Sequence, residues 1–472
     1  MPRELLLNAF DMNTVGHLAH GLWRHPRDQA RRYTDIHYWQ SLAQTLERGL
    51  FDGLFLADAV GLYDVYGGGP EAALEAGVQV PANDPAVLVP AMAAVTQHLG
   101  FGITANLSHE PPYLFARRMS TLDHLSQGRL GWNIVTGFLD STARAHGQPS
   151  QTRHDERYDR ADDYMALVYQ LWEGSWADDA VLADPASGQY TRPERVRTVR
   201  HQGPYYQLEA IHLSEPSPQR TPLLFQAGAS ARGLRFAARH AEALFLPNQG
   251  LQGTAQLVQQ LAGSLQAEGR PRDSYRLLTS LEVVVGRDAD EARDKYADYA
   301  RHARPQAALV QLASATGIDF SRYAPDEPIR PDSLGEGIQS IVRSLAQSAG
   351  HGPDGAVTVR ELLAQMPLGG RINPIVGSPD EVAAALLHWA DHTGVDGFNL
   401  VRTVTPECFV DFIDLVVPRL QALGRYKTAY APGTLREKLT GHGPHLPAAH
   451  PGAQARQATA CPPHAGRPAP RP

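Results

Sequence analysis

The sequence predicts an α/β fold, a (β/α)8 TIM barrel with two insertions, and three observations carry that expectation. Eight short apolar runs recur along the chain, each followed by a helical pattern somewhere in its connection to the next. Repeated right-handed βαβ crossovers of this kind generate a parallel sheet with helices outside. The clearest run, Leu54 to Ala57, is nearly continuous rather than alternating, as a strand covered on both faces should be. A chain of 472 residues, 43% of them hydrophobic, also has the apolar material for one large decorated domain. A doubly wound sheet is the rival arrangement of the same elements.

Taken in order, the first run is Leu5 to Phe10. The second, Leu54 to Ala57, follows the helical pattern Tyr38 to Arg48 and is closed by Asp58. Gly100 to Asn106 and Arg129 to Val135 are the third and fourth, and Leu223 to Ala227, Ala243 to Leu246, Leu277 to Val285 and Gly397 to Val401 complete the set. Two connections exceed what a plain barrel of about 250 residues needs. One spans 174–222 and contains YYQLEAIHLSEPSPQRTP, which alternates and turns like a hairpin; the other spans about 301–379 and mixes helical patterns with Pro and Gly. Insertions after strands build lids and pockets. Residues 1–440 thus read as the barrel with its insertions. The segment 441–472, dominated by Ala, Pro, His, Gly and Arg, has no usable periodicity and is expected to be disordered.

Charge argues against a nucleic-acid partner, since 43 Lys and Arg face 50 Asp and Glu without long runs of one sign. No segment reaches the roughly 20 apolar residues that a membrane span needs, and the opening MPRELLLNAF is too short an apolar run for a signal peptide. The two cysteines, Cys408 and Cys461, have no metal-type spacing and fit a reducing, cytoplasmic compartment.

The residue just past a barrel strand's C-terminal end lies in the active-site mouth, which makes Asp58 a site candidate. Its bland alternative is a loop or helix cap. Asn133 and Thr136 at the end of the fourth run, with Thr104 on the third, offer amide and hydroxyl groups to the edge of a heterocycle, or simply to a loop. His154 and Tyr158, four apart, lie along one edge of a helix that begins near Asp155. Gly228, Ala229 and Ser230 sit where the fifth run gives way to a helical pattern, exposing backbone N–H groups and a hydroxyl to a phosphate. An exposed helix start and an ordinary turn are the alternatives there. His17, His20 and His25, with Asp11 and His109, admit a zinc-dependent hydrolase as a competing class.

Together, DMNTVGHLAHGLWRH, FDGLFLAD, PPYLFARRMSTLDHLSQGRLGWNIVT, RHDERYDRADDY, QAGASARGLRFA and VDGFNLV resemble, in order and spacing, the bacterial-luciferase-like flavin monooxygenases. The nitrilotriacetate monooxygenase component A and dibenzothiophene-sulfone monooxygenase branch is the most similar, over about residues 5–440. The resemblance implies that Asp58, Thr104, Asn133 and Thr136 surround the FMN ring and ribityl chain, and that His154, Tyr158, Ala229 and Ser230 hold the phosphate end. It places Phe10, His20 and Phe55 toward the isoalloxazine or substrate, with His20 the choice for a proton-transfer or oxygen-binding role. It further implies reduced FMN delivered by a separate NAD(P)H:flavin reductase, molecular oxygen as co-substrate, and a homodimer or homotetramer. The substrate expected is a small N- or S-containing molecule of the kind met in xenobiotic degradation; an arginine such as Arg232 or Arg402 could pair a substrate carboxylate, though surface solvation is the commoner role of any single arginine. A deazaflavin-dependent oxidoreductase on the same scaffold is the nearest alternative.

Overall fold

The computed structural model describes residues 3–228, 230–330, 350 and 355–456. All eight expected strands form: β1 Leu6–Met12, β2 Gly53–Ala57, β3 Gly100–Asn106, β4 Leu130–Val135, β5 Leu223–Ala227, β6 Ala243–Leu246, β7 Arg276–Val285 and β8 Gly397–Val401. Each pairs in parallel with its sequence neighbour, and β8 pairs back onto β1, so the sheet closes into a barrel rather than a doubly wound sheet. A short strand, Ile375–Gly377, extends β7 on the outside.

The outer ring is built from amphipathic helices. In α1, Ile36–Arg48, the Asp35 side chain accepts from the His37 N–H at the N-terminus, and Tyr38, Trp39, Leu42, Ala43 and Leu46 form the buried face. The ring continues through α2 Pro112–Leu125, α3 His154–Gly174, α4 Ala231–His240, α5 Gly250–Ala267 and α6 Ala289–His302; α7 Pro305–Thr316 packs within the second insertion, and α8 Pro379–Thr393 returns to the ring. Trp132 of β4 packs outward against Phe115 of α2 and Trp172 of α3, tying these layers together.

The barrel interior is plugged by an aromatic layer. Phe10 meets Phe55 and Phe245 edge-on, at 5.5 and 5.0 Å between ring centroids, and Phe55 meets Phe225 at 5.2 Å. Glycines make room for it. A Cβ at Gly131 would lie 2.5 Å from the Phe225 ring, and one at Gly102 would lie 2.9 Å from that of Phe55. Below, Leu435 and Leu439 of α9, Leu435–Thr440, join the same apolar cluster and stopper the barrel floor. Arg436 between them is wholly buried, pairing with Glu242 at 2.6 Å and donating to the Thr221 and Pro222 carbonyls.

Two expectations change here. The first insertion holds two small hairpins, and the one foreseen within 205–222 starts earlier, pairing Val199–Gln202 with Gln207–Ala210. Its turn is organised from outside: the Asp163 carboxylate accepts from the Tyr205 and Tyr206 N–H groups and meets the His201 ring. The tail expected to lack structure from residue 441 packs onto the barrel as far as Arg456. Leu446 joins the main core, the His450 Nε2 lies 2.9 Å from the His240 carbonyl, and the Arg456 Nε donates to the buried Glu173 at 2.9 Å. A few long-range contacts anchor this segment without any periodic apolar face. Residues 457–472, with Cys461, lie outside the described residues, as do residues 331–349 and 351–354 of the second insertion.

Candidate active site

Strand termini bring the expected residues to the C-terminal mouth. A cavity of about 280 Å³ opens there, lined among others by Asp58 after β2, Thr104 of β3, Thr136 after β4, Phe138, Tyr158 of α3 and Ala227 of β5. That is near the lower end for a small-molecule site. Asn133 lies in register with Thr104 and donates to its hydroxyl at 2.9 Å. The Asn133 side-chain oxygen is buried and has no partner among the described residues. Asp58 is half-buried, and burial together with the charge on Asp84 pushes its carboxyl up to about 7.

The other end is a helix N-terminus. Ser230 caps α4 by accepting from the Gly233 N–H at 3.0 Å, and its Oγ also lies 3.2 Å from the His154 Nε2. Helix α3 begins at His154, which stands edge-on to Tyr158 at 5.2 Å. Orphan N–H groups, a hydroxyl, an imidazole and a phenol thus converge at one point. Ala229 lies outside the described residues.

A reduced flavin fits this donor set. Helix N–H groups suit a phosphate, and the unpartnered oxygens of Asn133 and Gln226 are acceptors that a ribityl hydroxyl or ring N–H can satisfy. Asp58, Thr104, Asn133 and Thr136 would face the ring and ribityl chain, and His154, Tyr158 and Ser230 the phosphate.

His20, Phe10 and Phe55 stand elsewhere. The two phenylalanines belong to the aromatic plug of the barrel. His20 is fully buried in the loop after β1, its backbone clamped by hydrogen bonds with Gly369 and Arg304. Neither ring nitrogen meets the geometry of a full hydrogen bond among the described residues; burial lowers the imidazole to about 4, with the Gln311 side chain opposing that shift. The ring is therefore neutral at pH 7, not poised near its ordinary value.

Around His20 lies a second polar group of side chains that the sequence did not indicate. The Tyr63 hydroxyl donates to Gln79 at 2.6 Å, and Gln79, held at a left-handed φ of 54°, donates to the His17 carbonyl at 2.9 Å. Glu282 near the end of β7 is buried with both oxygens unpartnered among the described residues, and burial pushes it up to about 8. Glu282 alone had a sequence signal, a charge inside an apolar run.

The arginines expected to meet a substrate carboxylate are already paired. Arg402 forms a buried pair with Asp11 at 2.8 Å, and Arg232 contacts Asp159 and Asp162. The metal set foreseen from His17, His20, His25, Asp11 and His109 is not brought together. His25 instead meets Asp298 and His302, where Arg27 and Arg301 also contact the Asp298 carboxylate. Among the described residues no helix is long and apolar enough to cross a membrane.

Comparison with known proteins agrees with this geometry. The luciferase-like monooxygenase family matches residues 17–397. The chain is 47% identical over 464 residues to the dimethyl-sulfide monooxygenase of Hyphomicrobium sulfonivorans, covering 97% of this chain and 95% of the relative. It is 43% identical over 457 residues to the long-chain alkane monooxygenase of Geobacillus thermodenitrificans, covering 97% and 99%. A crystal structure of riboflavin lyase with modified FMN and riboflavin superposes with a TM-score of 0.88 at 38% identity, covering 96% of this chain and all of that one. The chain belongs to the luciferase-like monooxygenase family, and its fold and relatives make it a flavin-dependent monooxygenase.

Proposed function

We propose that the protein binds reduced FMN supplied by a separate NAD(P)H:flavin reductase and uses molecular oxygen to place one oxygen atom on a small organic substrate, an N- or S-containing molecule foremost. The observation that carries this reading is the single cavity running from Asp58 and Thr104 to Tyr158, beside the Ser230 and His154 helix terminus. Sulfur is favoured by the relative that acts on dimethyl sulfide.

When bound, the reduced flavin supplies the electrons for oxygen activation. The chain's own residues do the rest. Ser230, His154 and Tyr158 anchor the charged end, and the Asn133 and Thr104 pair orients the polar edge of the ring. Val60 and Phe138, half exposed beside the cavity, give it apolar lips that exclude water once it is filled. To His20, a neutral buried imidazole outside the lining of that cavity, this reading assigns a hydrogen bond toward the reacting centre.

Oxygen-18 labelling tests the proposal. The protein, a generic flavin reductase, NADH and FMN are incubated under labelled oxygen with a panel of alkyl sulfides, sulfones, amines and alkanes. A product carrying one labelled atom, absent without the reductase, is expected. Oxygen consumption with every labelled atom recovered in hydrogen peroxide or water across the panel would oppose it.

A further inference from the structure

A second, smaller cavity lies behind the wall of the first. It measures about 90 Å³ and is lined among others by Ser108, His109, Gln148, Gln151, Arg157 and Arg160. The two cavities share no lining residue, yet they adjoin. The Ser108 N–H donates to the Asn106 side chain at 2.9 Å and the Gln151 amide to the Leu139 carbonyl at 2.9 Å, and Asn106 and Leu139 line the first cavity, as does Tyr158 next to Arg157.

Arg157 and Arg160 are three apart on α3, so they lie along one face of the helix and beside the same cavity. Both are half-buried, and among the described residues neither forms an ion pair. Arg157 donates from Nη1 to the Thr152 carbonyl at 2.5 Å and keeps a buried Nε with no partner among the described residues. Arg160 lies over the Tyr206 ring and donates from Nε to its hydroxyl at 2.8 Å, which leaves its two terminal nitrogens unbonded among the described residues. The buried carboxylates of α3 are committed elsewhere: Asp162, with Asp159, holds Arg232 on the opposite face, and Asp163 meets the His201 ring. Glu156, the one carboxylate among the described residues lining the cavity, is exposed and pairs with neither arginine. His109 adds a buried Nε2 with no partner among the described residues, its ring stacked on His146 at 4.1 Å. Like charges on one helix face repel, and half-buried guanidiniums without a counter-charge are costly; an anion between them relieves both.

We propose that this cavity is a second anion site, separate from the helix terminus that meets the flavin phosphate, and that Arg157 and Arg160 hold a small tetrahedral oxyanion there: inorganic sulfate or phosphate, or the head of a short sulfonate. Guanidinium forks present paired N–H donors to such oxygens, and the His109 ring and the Gln148 amide supply further donors along the wall. A cavity of this size admits a few waters or one such ion, not a nucleotide. Binding does not depend on turnover.

Calorimetry on the full chain, anaerobically and with reduced FMN at saturation, tests the proposal with sulfate, phosphate and methanesulfonate as probes. Sulfate or phosphate should bind at one ion per chain with the flavin in place, and should survive about a tenfold excess of chloride. Methanesulfonate of equal affinity would show that a sulfonate head is accepted, and binding about tenfold weaker would assign the site to the free inorganic ions. Arg160→Gln should weaken sulfate binding at least about tenfold and leave the reduced-FMN dissociation constant within about twofold. Gln148→Glu, which sets a carboxylate in the lining from an exposed position, should weaken sulfate binding as much, and it decides should Arg160→Gln fail to fold. No saturable binding of sulfate or phosphate overturns the proposal. So does sulfate displaced by reduced FMN, which would make this the flavin's own phosphate site, or an affinity that either folded variant leaves unchanged, which would mark an adventitious ion elsewhere on the surface.

Discussion

The Asn133 side chain donates to the Thr104 hydroxyl at 2.9 Å across neighbouring strands, leaving its own side-chain oxygen buried and unpartnered among the described residues. An unsatisfied buried acceptor carries a desolvation cost of about 1–3 kcal/mol that a bound donor relieves. Asn133→Ala should therefore weaken reduced-FMN binding by about tenfold, a net hydrogen bond's worth. Anaerobic fluorescence titration measures it. An unchanged dissociation constant would remove Asn133 from the flavin contacts.

At the other end, His154 and Ser230 are not equivalent targets. Ser230 also caps α4, so Ser230→Ala adds a stability loss of about 1 kcal/mol to any loss of binding. The His154 side chain is 47% exposed, so its replacement should leave the fold intact. His154→Ala should weaken FMN binding while leaving riboflavin, which lacks the phosphate, nearly unaffected. Equal weakening of both ligands would point to damage away from the phosphate.

Asp58 and Glu282 set a pH dependence of stability. Their carboxyls are raised to about 7 and about 8, above ordinary values of 3.8 and 4.5. Between those limits the folded chain holds protons that the unfolded chain has released. Both groups therefore make the protein less stable as pH rises from about 4 to 8, and the effect levels off above 8. Asp58→Asn and Glu282→Gln should each flatten the fall in urea-unfolding free energy over that window. A variant whose pH profile runs parallel to the unaltered protein's would show that its carboxyl titrates normally.

His20, held near 4 in the folded protein, should leave no inflection between pH 6 and 7 in a pH–activity profile. His20→Ala should retain reduced-FMN affinity and release more hydrogen peroxide per flavin oxidised, because the site loses a neutral hydrogen-bonding group. The ratio of peroxide to oxygenated product checks this. An unchanged ratio would assign the ring a purely structural role.

The barrel was legible because each strand is written locally, as an apolar run ending near a polar residue. Asp58, Thr104, Asn133, Thr136, His154, Tyr158 and Ser230 were legible for the same reason, since each lies at a strand end or a helix start. The polar group around His20 was not, because Tyr63, Gln79 and Glu282 come from separate parts of the chain and approach one another only when the barrel closes. Phe10, expected toward the ligand, packs edge-on against Phe55 and Phe245 in the aromatic plug, a packing that strand periodicity alone does not specify. The segment 441–456 escaped notice because Leu446, His450 and Arg456 act singly through distant partners.

The most direct test of the flavin site is a pair of titrations of the purified protein, one with reduced FMN under anaerobic conditions and one with oxidised FMN in air, with NADH then added to the latter. The account predicts tighter binding of reduced FMN, at one flavin per chain, and no oxidation of NADH without an added reductase. Tightly held oxidised flavin that NADH reduces directly would contradict it.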